Sequence, residues 1–382
     1  MDSLQGKSLA VIGASYLQLP LVRRAKELGV KTICFAWADG AVCKDVADVF
    51  YPISVIEKDE ILEVCRSENI SGITSIASDV AVPTMAYVAS KLGLVGNSVR
   101  SAEISTNKFL MREVFAKAGV PCPAFTVVSD SSDLMATTAG MTYPLMVKPT
   151  DRSGSMGVTR VETPDGLAEA VKRAIEDSFC GKAIVEKCIT GMREVSVEGI
   201  SWKGEYNLLQ ITDKVTTGAP HYVELGHHQP ARVSSETRRR ILEVVESGVR
   251  ALDICYGASH AELMITPDGS MFITEIGARM GGDFIGSDLV RLSTGYDFVR
   301  GTIEVALGEF HKPVLSDVGY SGIWFYAPET RWVRDEIAKA GMDDRIVSAE
   351  LLREDVVPLT RSADRSGYFI YKSTEGRFEA KP

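Results

Sequence analysis

Residues 260–283 have the sequence HAELMITPDGSMFITEIGARMGGD. Glu262 lies within one short apolar run and Glu275 ends another, with the turn residues PDG at 267–269 between them, and this pattern predicts a β-hairpin. Pairing across the turn would bring both glutamates to one face. Because converging carboxylates in apolar surroundings require a cation between them, and because Mg²⁺ prefers hard oxygen ligands, the hairpin indicates a magnesium site.

Arg279 adds to this segment a group suited to phosphate or carboxylate. Its planar guanidinium can make two parallel hydrogen bonds, and Gly281 and Gly282, which follow it, allow a ligand to approach the backbone closely. An ordinary hairpin with two exposed glutamates explains the segment about equally well on its own. The choice between these interpretations therefore depends on the rest of the chain.

The composition is that of a globular protein with a small-molecule partner. The 382 residues suffice for two or three domains, and 45% of them are apolar. The net charge of −9 argues against sequence-independent binding of nucleic acid or of an anionic membrane, since both depend on basic surfaces. No apolar run has the length of a membrane span. The seven cysteines contain no C-x-x-C pair, which indicates reduced thiols of a cytoplasmic protein and neither a disulfide framework nor a zinc site.

The N-terminal segment has the pattern of a doubly wound α/β domain. An apolar strand at 8–12 is followed by a glycine turn, a helix at 19–28 and a second strand at 31–35. Helices and strands continue to alternate until about residue 98. Because the glycine turn lacks the full G-x-G-x-x-G pattern of a dinucleotide site, we interpret residues 1–98 as a domain that frames a substrate cleft.

Two lysines accompany features that suit phosphate binding. Lys108 lies on the first turn of a helix for which Ser105 or Thr106 is the predicted N-cap. Lys148 lies on an apolar strand, and the loop DRSGSMGV at 151–158 follows it. A loop of small residues offers free backbone N–H groups to phosphate oxygens, and a neighbouring lysine supplies a cation. A solvated helix lysine and an ordinary hairpin turn are the alternatives for these two features.

Eight features in this order resemble the ATP-grasp superfamily, and residues 1–98 resemble the domain that precedes the ATP-grasp domain in its members. The features are Lys108, Lys148, the loop at 153–157, the pair Glu186-Lys187, Glu194, Glu262, Glu275 and Arg279. The resemblance implies an α/β fold, with an α+β ATP-grasp part, in a biotin-carboxylase-like architecture. The implied domains are residues 1–98, an ATP-grasp domain at 99–312 with a lid subdomain at about 120–188, and a small C-terminal domain at 313–382.

The resemblance also implies where ATP and a metal ion are bound. The implied nucleotide-binding residues are Lys108, Lys148, Ser153, Gly154, Ser155, Gly157, Glu186, Lys187, Ile189 and Glu194. Glu262 and Glu275 would hold Mg²⁺, for which Mn²⁺ could substitute, and Lys148 and Arg279 would act in catalysis. Gly277 occupies a position where many relatives have asparagine, so the number of bound Mg²⁺ ions stays open.

The segment HYVELGHHQPA at 221–231 resembles one in the L-amino acid ligase branch of this superfamily. The resemblance implies that Glu224 and His227, together with Arg279 and Gly282, bind the substrate. The segment also contains three of the five histidines of the chain. They lack the cysteine partners and the compact spacing of a zinc site, so we do not predict one there.

These features predict an ATP-dependent carboxylate-amine ligase. It would form an amide bond through an acyl phosphate and release ADP and phosphate. The favoured product is a dipeptide. The expected partners are small molecules, namely an amino acid or other carboxylate and an amine. Neither a nucleic acid nor a membrane is expected as a partner. The assembly that we consider is a homodimer. The alternatives are an ATP-grasp carboxylase or formyltransferase of a small metabolite, and a non-catalytic nucleotide sensor, against which the intact pair Glu262 and Glu275 argues.

Overall fold

The computed structural model describes residues 3–152, 154 and 156–380, which form three β-sheets with helices packed against them. The first sheet has four parallel strands in the order β3-β2-β1-β4, and three helices cover it. Its strands are β1 (Ser8–Ile12), β2 (Lys31–Phe35), β3 (Val49–Tyr51) and β4 (Gly72–Thr74), and its helices are α1 (Leu19–Glu27), α2 (Lys58–Ser67) and α3 (Val82–Leu92).

Alternate residues of β1 pack on opposite faces of this first sheet. Leu9 and Val11 contact the cluster that includes α1, whereas Ala10 and Ile12 belong to the cluster formed with α2 and α3. A parallel strand covered on both faces must be apolar throughout, which explains the uninterrupted run that predicted it. The doubly wound opening of the chain is therefore confirmed.

Two consecutive helices, α4 (Val99–Thr106) and α5 (Lys108–Ala118), lead from the first sheet to the second. The predicted N-cap of the second helix at Ser105 or Thr106 is wrong, because those residues end α4. Asn107 caps α5 instead, and its side-chain oxygen accepts hydrogen bonds from the backbone N–H groups of Phe109 and Leu110 at 3.1 Å each. Lys108 is thereby the first residue of α5, on the first turn as predicted.

The second sheet, which we call the lid sheet, is antiparallel in the order β5-β8-β6-β7. Its strands are β5 (Phe125–Val128), β6 (Leu145–Pro149), β7 (Thr159–Val161) and β8 (Ala183–Lys187), and the helices within the segment are α6 (Leu134–Thr137) and α7 (Leu167–Asp177). The apolar face of α7 packs on one side of the sheet through Leu167, Val171 and Ala174. The other side is left for a ligand.

The third sheet is the largest, with eight antiparallel strands in the order β13-β12-β9-β10-β11-β14-β16-β15. Its strands are β9 (Arg193–Trp202), β10 (Glu205–Thr216), β11 (Glu224–Gln229), β12 (Gly257–Ile265), β13 (Met271–Gly277), β14 (Tyr320–Tyr326), β15 (Ile346–Leu351) and β16 (Gly367–Ser373). The helices of this part are α8 (Ser235–Ala251), α9 (Val290–Thr294), α10 (Phe298–Ala306) and α11 (Val333–Ile337). The helix α8 packs against β9, β12 and β13 in one cluster, and α10 packs in the cluster that contains Ile200 and Leu209.

The strands after residue 313 extend the third sheet and do not form a sheet of their own. Strand β14 pairs with β11 through His227 opposite Ile323, and β16 and β15 follow outward. Consequently β11, the segment that resembles the L-amino acid ligase branch, is an interior strand between β10 and β14, whose residues lie on either side of position 313. Among the described residues, no helix combines the length and apolar character needed to span a membrane.

Candidate active site

A cavity of about 180 Å³ lies between the lid sheet and the third sheet. It brings together most of the residues that the sequence singled out, although they are spread over more than 170 positions of the chain. The predicted residues that line it are Lys108, Lys148, Gly154, Glu186, Lys187, Ile189, Glu194, Glu224, Glu262, Glu275 and Arg279. Both apolar groups and charged groups of either sign contribute to its wall, as a site for a nucleotide requires.

The two hairpin glutamates are directly opposite each other, because β12 and β13 pair with Glu262 facing Glu275. Lysines neutralise both carboxylates. The Nζ atom of Lys214 lies 2.8 Å from Glu262 Oε1, and that of Lys108 lies 3.1 Å from Glu275 Oε2. Burial tends to raise the pKa of Glu262, but the ammonium of Lys214 and the imidazole of His260 hold that pKa well below its ordinary value. Glu262 is therefore an ionised oxygen donor.

The hairpin pair suits a cation whose remaining ligands come from water and phosphate. Among the described residues, no group of three or more histidine, cysteine, aspartate or glutamate side chains could enclose a metal ion. Two carboxylates with open coordination positions are a donor set that Mg²⁺ accepts beside a nucleotide. The glycine at 277 has a structural reason, because a Cβ there would lie 2.8 Å from Asp79 Oδ1 and would disturb the contact of that carboxylate with Arg279.

Lys214, on β10, is a central charge of the cavity that the sequence did not reveal. Its Nζ atom lies 2.6 Å from Glu194 Oε1, 2.8 Å from Glu262 Oε1 and 3.6 Å from Glu224 Oε1, and its side chain is 5% exposed. Burial lowers the pKa of Lys214, but the three carboxylates raise it well above its ordinary value. Lys214 could have been found from its inward position on a strand. It was missed because strand β10 was not predicted from the sequence.

Glu186 lines the cavity and forms an ion pair that holds Lys148 in place. Its carboxylate accepts hydrogen bonds from Arg112 Nε at 2.7 Å and contacts Lys148 Nζ at 2.8 Å, and the side chains of Arg112 and Glu186 are almost completely buried. Burial tends to raise the pKa of Glu186, yet the two cations lower it to about 2. The carboxylate thus fixes the ammonium of Lys148, and residues 187–189, which follow Glu186, also line the cavity. Arg112 was not predicted.

The loop after Lys148 contributes unequally to the cavity. Ser153 and Ser155 lie outside the described residues. Gly154 lines the cavity and has φ +66° with open space where a Cβ would be. Gly157 does not line it; its φ is +67° and a Cβ there would lie 2.7 Å from both Asp177 Oδ2 and Pro149 Cγ. Gly157 therefore closes the base of the loop against the lid sheet.

This contrast gives a matched pair of variants. Gly157→Ala should lower the free energy of unfolding by about 2–3 kcal/mol, because it adds overpacking to left-handed backbone strain. Gly154→Ala should cost only about 1 kcal/mol, from the backbone strain alone. Thermal unfolding of the two variants by calorimetry measures the difference. Equal losses of stability would show that Gly157 is not confined as described.

Arg279 is held by a carboxylate of the N-terminal domain. Its Nε and Nη2 atoms donate to the two oxygens of Asp79 at 2.8 Å each, over a sequence separation of 200 residues. Although burial lowers the pKa of Arg279, Asp79 raises it above its ordinary value. The guanidinium is consequently fixed in orientation at the edge of the cavity. Asp79 follows strand β4, and nothing in the sequence marked it as a partner of Arg279.

The predicted substrate residues are divided between the cavity and the layer behind it. Glu224 lines the cavity and accepts a hydrogen bond from Ser362 Oγ at 3.2 Å. His227 is 1% exposed, with Nε2 3.5 Å from Asp283 Oδ2 and its ring edge on Phe325. Neither His227 nor Gly282 belongs to the residues that line the cavity. The structure therefore places Glu224 toward a ligand and His227 against the protein.

Asp283 and Arg365 form a further ion pair that was not predicted, and it lies beside His227. Arg365 donates from Nη1 and Nη2 to the two oxygens of Asp283 at 2.7 Å each, and its guanidinium carbon lies 3.6 Å from the centroid of the Phe325 ring. Burial opposes ionisation, but Arg365 holds the pKa of Asp283 well below its ordinary value. Asp283 and Phe284 also have left-handed backbones, with φ 49° and 62°, and such strain is concentrated at functional sites.

Comparison with known proteins agrees with this geometry. Residues 141–288 match the family model of the ATP-grasp domain. The chain is 26% identical over 271 residues to alanine–anticapsin ligase of Bacillus subtilis (strain 168), in an alignment that covers 63% of this chain and 57% of that protein. The chain thus spans only about half the length of the curated relatives it matches.

Two solved structures share the fold over nearly the whole chain. The L-amino acid ligase from Bacillus licheniformis has a TM-score of 0.81 and 22% identity, covering 97% of this chain and 94% of that one. The biotin carboxylase domain dimer of the Hydrogenobacter thermophilus 2-oxoglutarate carboxylase, solved with MgADP, ADP and bicarbonate, has a TM-score of 0.76 and 18% identity, covering 96% and 86%. At these identities the likeness concerns the fold.

Proposed function

We propose that this chain, which carries an ATP-grasp domain, is an ATP-dependent carboxylate-amine ligase that forms an amide bond and releases ADP and phosphate. The observation that carries the proposal is a single cavity in which two opposed carboxylates, four lysines and a fixed arginine lie beside Glu224. Phosphoryl transfer to a carboxylate joins two anions, and this arrangement supplies the cations that such a step needs. The likeness to alanine–anticapsin ligase supports the same class of reaction.

The nucleotide would occupy the length of the cavity. Lys108, Lys148 and Lys214 provide the positive charge for a triphosphate, and the backbone of residues 187–189 borders the end where an adenine would lie. Glu194, which lines the cavity, would accept a hydrogen bond from a ribose hydroxyl; its carboxylate also accepts one from Lys214 at 2.6 Å. These residues would bind and orient ATP without taking part in bond exchange.

Glu262 and Glu275 would hold Mg²⁺, which supplies charge neutralisation for phosphoryl transfer when it is bound. In the reaction, a carboxylate oxygen of the first substrate attacks the γ-phosphorus, the bond to the bridging oxygen breaks, and ADP leaves. The amine nitrogen of the second substrate then attacks the carbonyl carbon of the acyl phosphate, phosphate leaves, and the nitrogen loses a proton. Arg279, which Asp79 holds in orientation, would stabilise the oxyanion of this second step.

Glu224 is expected to bind the ammonium group of an amino acid substrate, because a buried ammonium requires an opposite charge. Glu224→Ala should therefore lower amino-acid-dependent phosphate release about 10- to 100-fold while ATP is still bound. The matched control is Glu243→Ala, which removes an exposed glutamate from α8. Nucleotide binding and phosphate release are measured for both variants. Unchanged release by Glu224→Ala would remove this residue from the substrate site.

The proposed activity is tested by incubating the protein with ATP, Mg²⁺ and pools of amino acids and measuring phosphate, ADP and new product masses. A product heavier than either amino acid, formed together with ADP, is expected. Parallel reactions with bicarbonate and with formate test the carboxylase and formyltransferase alternatives. Phosphate release with those two substrates and with no amino acid would replace the ligase proposal.

We also propose a homodimer, by analogy with the biotin carboxylase domain dimer of similar fold. Multi-angle light scattering of the purified chain tests it directly. A mass of about twice the 41.5 kDa chain is expected, and a mass equal to one chain would contradict the proposal.

A further inference from the structure

A second cavity adjoins the candidate active site where the N-terminal domain faces the base of the lid sheet. Its volume is about 390 Å³, larger than that of the nucleotide cavity. Lys108, Arg152 and Glu275 line both cavities. A molecule in the second cavity would therefore extend to the place where the phosphoryl group and the metal carboxylates meet.

The walls of the second cavity expose apolar side chains toward each other. Ile56, Val80 and Pro83 line it from the N-terminal domain, and Phe179 lines it from the lid segment. Ile56 is 58% exposed and Phe179 is 68% exposed. Large apolar side chains that face one another across an open cleft favour a ligand with an apolar group, because its binding removes their surface from water.

Most charged groups of the second cavity already have partners. Lys108 contacts Glu275 at 3.1 Å, and Asp79 is occupied by Arg279. The carboxylate of Asp151 accepts hydrogen bonds from the backbone N–H groups of Phe179 and Cys180. Lys108 and Glu275 also belong to the proposed nucleotide and metal site, so neither group is reserved for a ligand of the second cavity.

Arg152 is different, because it forms no ion pair with any carboxylate in the described part of the chain. Its guanidinium carbon lies 4.3 Å from the centroid of the Phe179 ring, and Nη2 contacts the sulfur of Met156 at 3.9 Å. Its Nε atom is buried and has no hydrogen-bond partner among the described residues. A buried guanidinium N–H without an acceptor is costly, so this side chain is suited to receive an anionic group.

Lys58 adds a second cation at the rim. It lies 4.8 Å from the centroid of the Tyr87 ring, and within residues 3–152, 154 and 156–380 it makes no ion pair. The second cavity thus combines an apolar wall with two cations whose charge no described carboxylate balances.

We propose that the second cavity binds the amine substrate of the ligase, and that this substrate is an amino acid with an apolar side chain. Its carboxylate would contact Arg152, with Lys58 nearby, its side chain would pack on Ile56, Val80 and Phe179, and its amine would point to the end shared with the nucleotide cavity. This inference rests on the proposed function and names the class of its second substrate.

The nucleotide is a less suitable partner for Arg152. Lys108, Lys148 and Lys214 already supply the positive charge of the first cavity. Phe179, on which the guanidinium of Arg152 stacks, lines only the second of these two cavities. The stacking therefore directs Arg152 to the substrate side.

The test measures binding and so does not depend on turnover. L-leucine, the probe, is titrated into the full chain by isothermal titration calorimetry in the presence of Mg²⁺ and a non-hydrolysable ATP analogue. Arg152→Met, which keeps the apolar stem, should weaken leucine binding about tenfold or more and change the affinity for the nucleotide analogue less than twofold. Arg173→Met is the matched control, because Arg173 is an exposed arginine of the same lid segment that pairs with Glu169; it should change neither affinity.

A second variant tests the apolar wall. Phe179→Ala should weaken binding of leucine severalfold and leave binding of glycine, which has no side chain to pack, unchanged. The proposal is overturned if the wild-type chain binds no leucine, if Arg152→Met binds leucine as the wild type does, or if that variant loses nucleotide affinity instead. If leucine binds as expected but no amide is formed from any pool of amino acids, the proposed function fails while the binding site stands.

Discussion

Glu275→Gln is expected to lower ATP-dependent phosphate release by about a thousandfold or more. The substitution keeps the size of the side chain but removes the charge that would hold Mg²⁺, and a bound metal ion contributes several kcal/mol to phosphoryl transfer. The fold should survive, because the side chain is 22% exposed and, within the described part of the chain, its ion pair is with Lys108. Phosphate release and thermal unfolding are measured on the same preparation.

Two controls separate loss of the metal from general damage. Glu205→Gln removes an exposed carboxylate that pairs with Lys312, and it should leave phosphate release unchanged. A titration with Mg²⁺ should show that Glu275→Gln needs a higher concentration of the metal for its residual activity. Wild-type activity in Glu275→Gln would show that Glu275 is not a metal ligand. If activity is lost but the Mg²⁺ requirement is unchanged, the loss of activity comes from the broken contact with Lys108.

Lys214→Met is expected to lower both stability and activity. Lys214 is the shared cation of Glu194, Glu224 and Glu262, and removing one partner of a buried ion pair leaves the other charges uncompensated, at a cost of about 3–5 kcal/mol. For a chain of this size the melting temperature should fall by roughly 4–6 °C. Phosphate release should fall at least about a hundredfold, because a cation of the phosphate site is lost.

A double variant distinguishes these two effects of Lys214. In Lys214→Met/Glu194→Gln, the carboxylate that lies nearest to the ammonium, at 2.6 Å, is neutral, so much of the stability should return while activity stays low. The stability defect of the single variant should also shrink as the pH falls. Lys214 lowers the pKa of Glu262; without it that pKa rises, so Glu262 takes up a proton at a higher pH in the variant and the repulsion is relieved as the pH falls. A wild-type melting temperature for Lys214→Met would contradict this account.

The local elements of the fold could be predicted from the sequence because short-range patterns determine them. The strands predicted at 8–12 and 31–35 are β1 and β2, and the turn between the two hairpin runs set the register as far as Leu263 opposite Ile273. A bulge between Glu262 and Leu263 then brings Glu262 opposite Glu275. Alternation and helical periodicity express which face of an element is buried, and each requires only neighbouring residues. The N-cap was misplaced because α4 and α5 meet at Asn107 with no intervening loop, and propensity alone does not locate such a junction.

The partners of the charged groups were decided only by the tertiary structure. Arg279 meets Asp79 across 200 residues, Arg112 meets Glu186 across 74, and Lys214 meets Glu262 across 48. The extension of the third sheet by β14, β15 and β16 likewise depends on β14 pairing with β11. The sequence by itself determined the α/β class, the hairpin and the set of charged residues that converge on phosphate chemistry. Which charge neutralises which was set by packing, because a buried ion pair depends on distance in space and on the low dielectric around it, and neither is encoded by spacing along the chain.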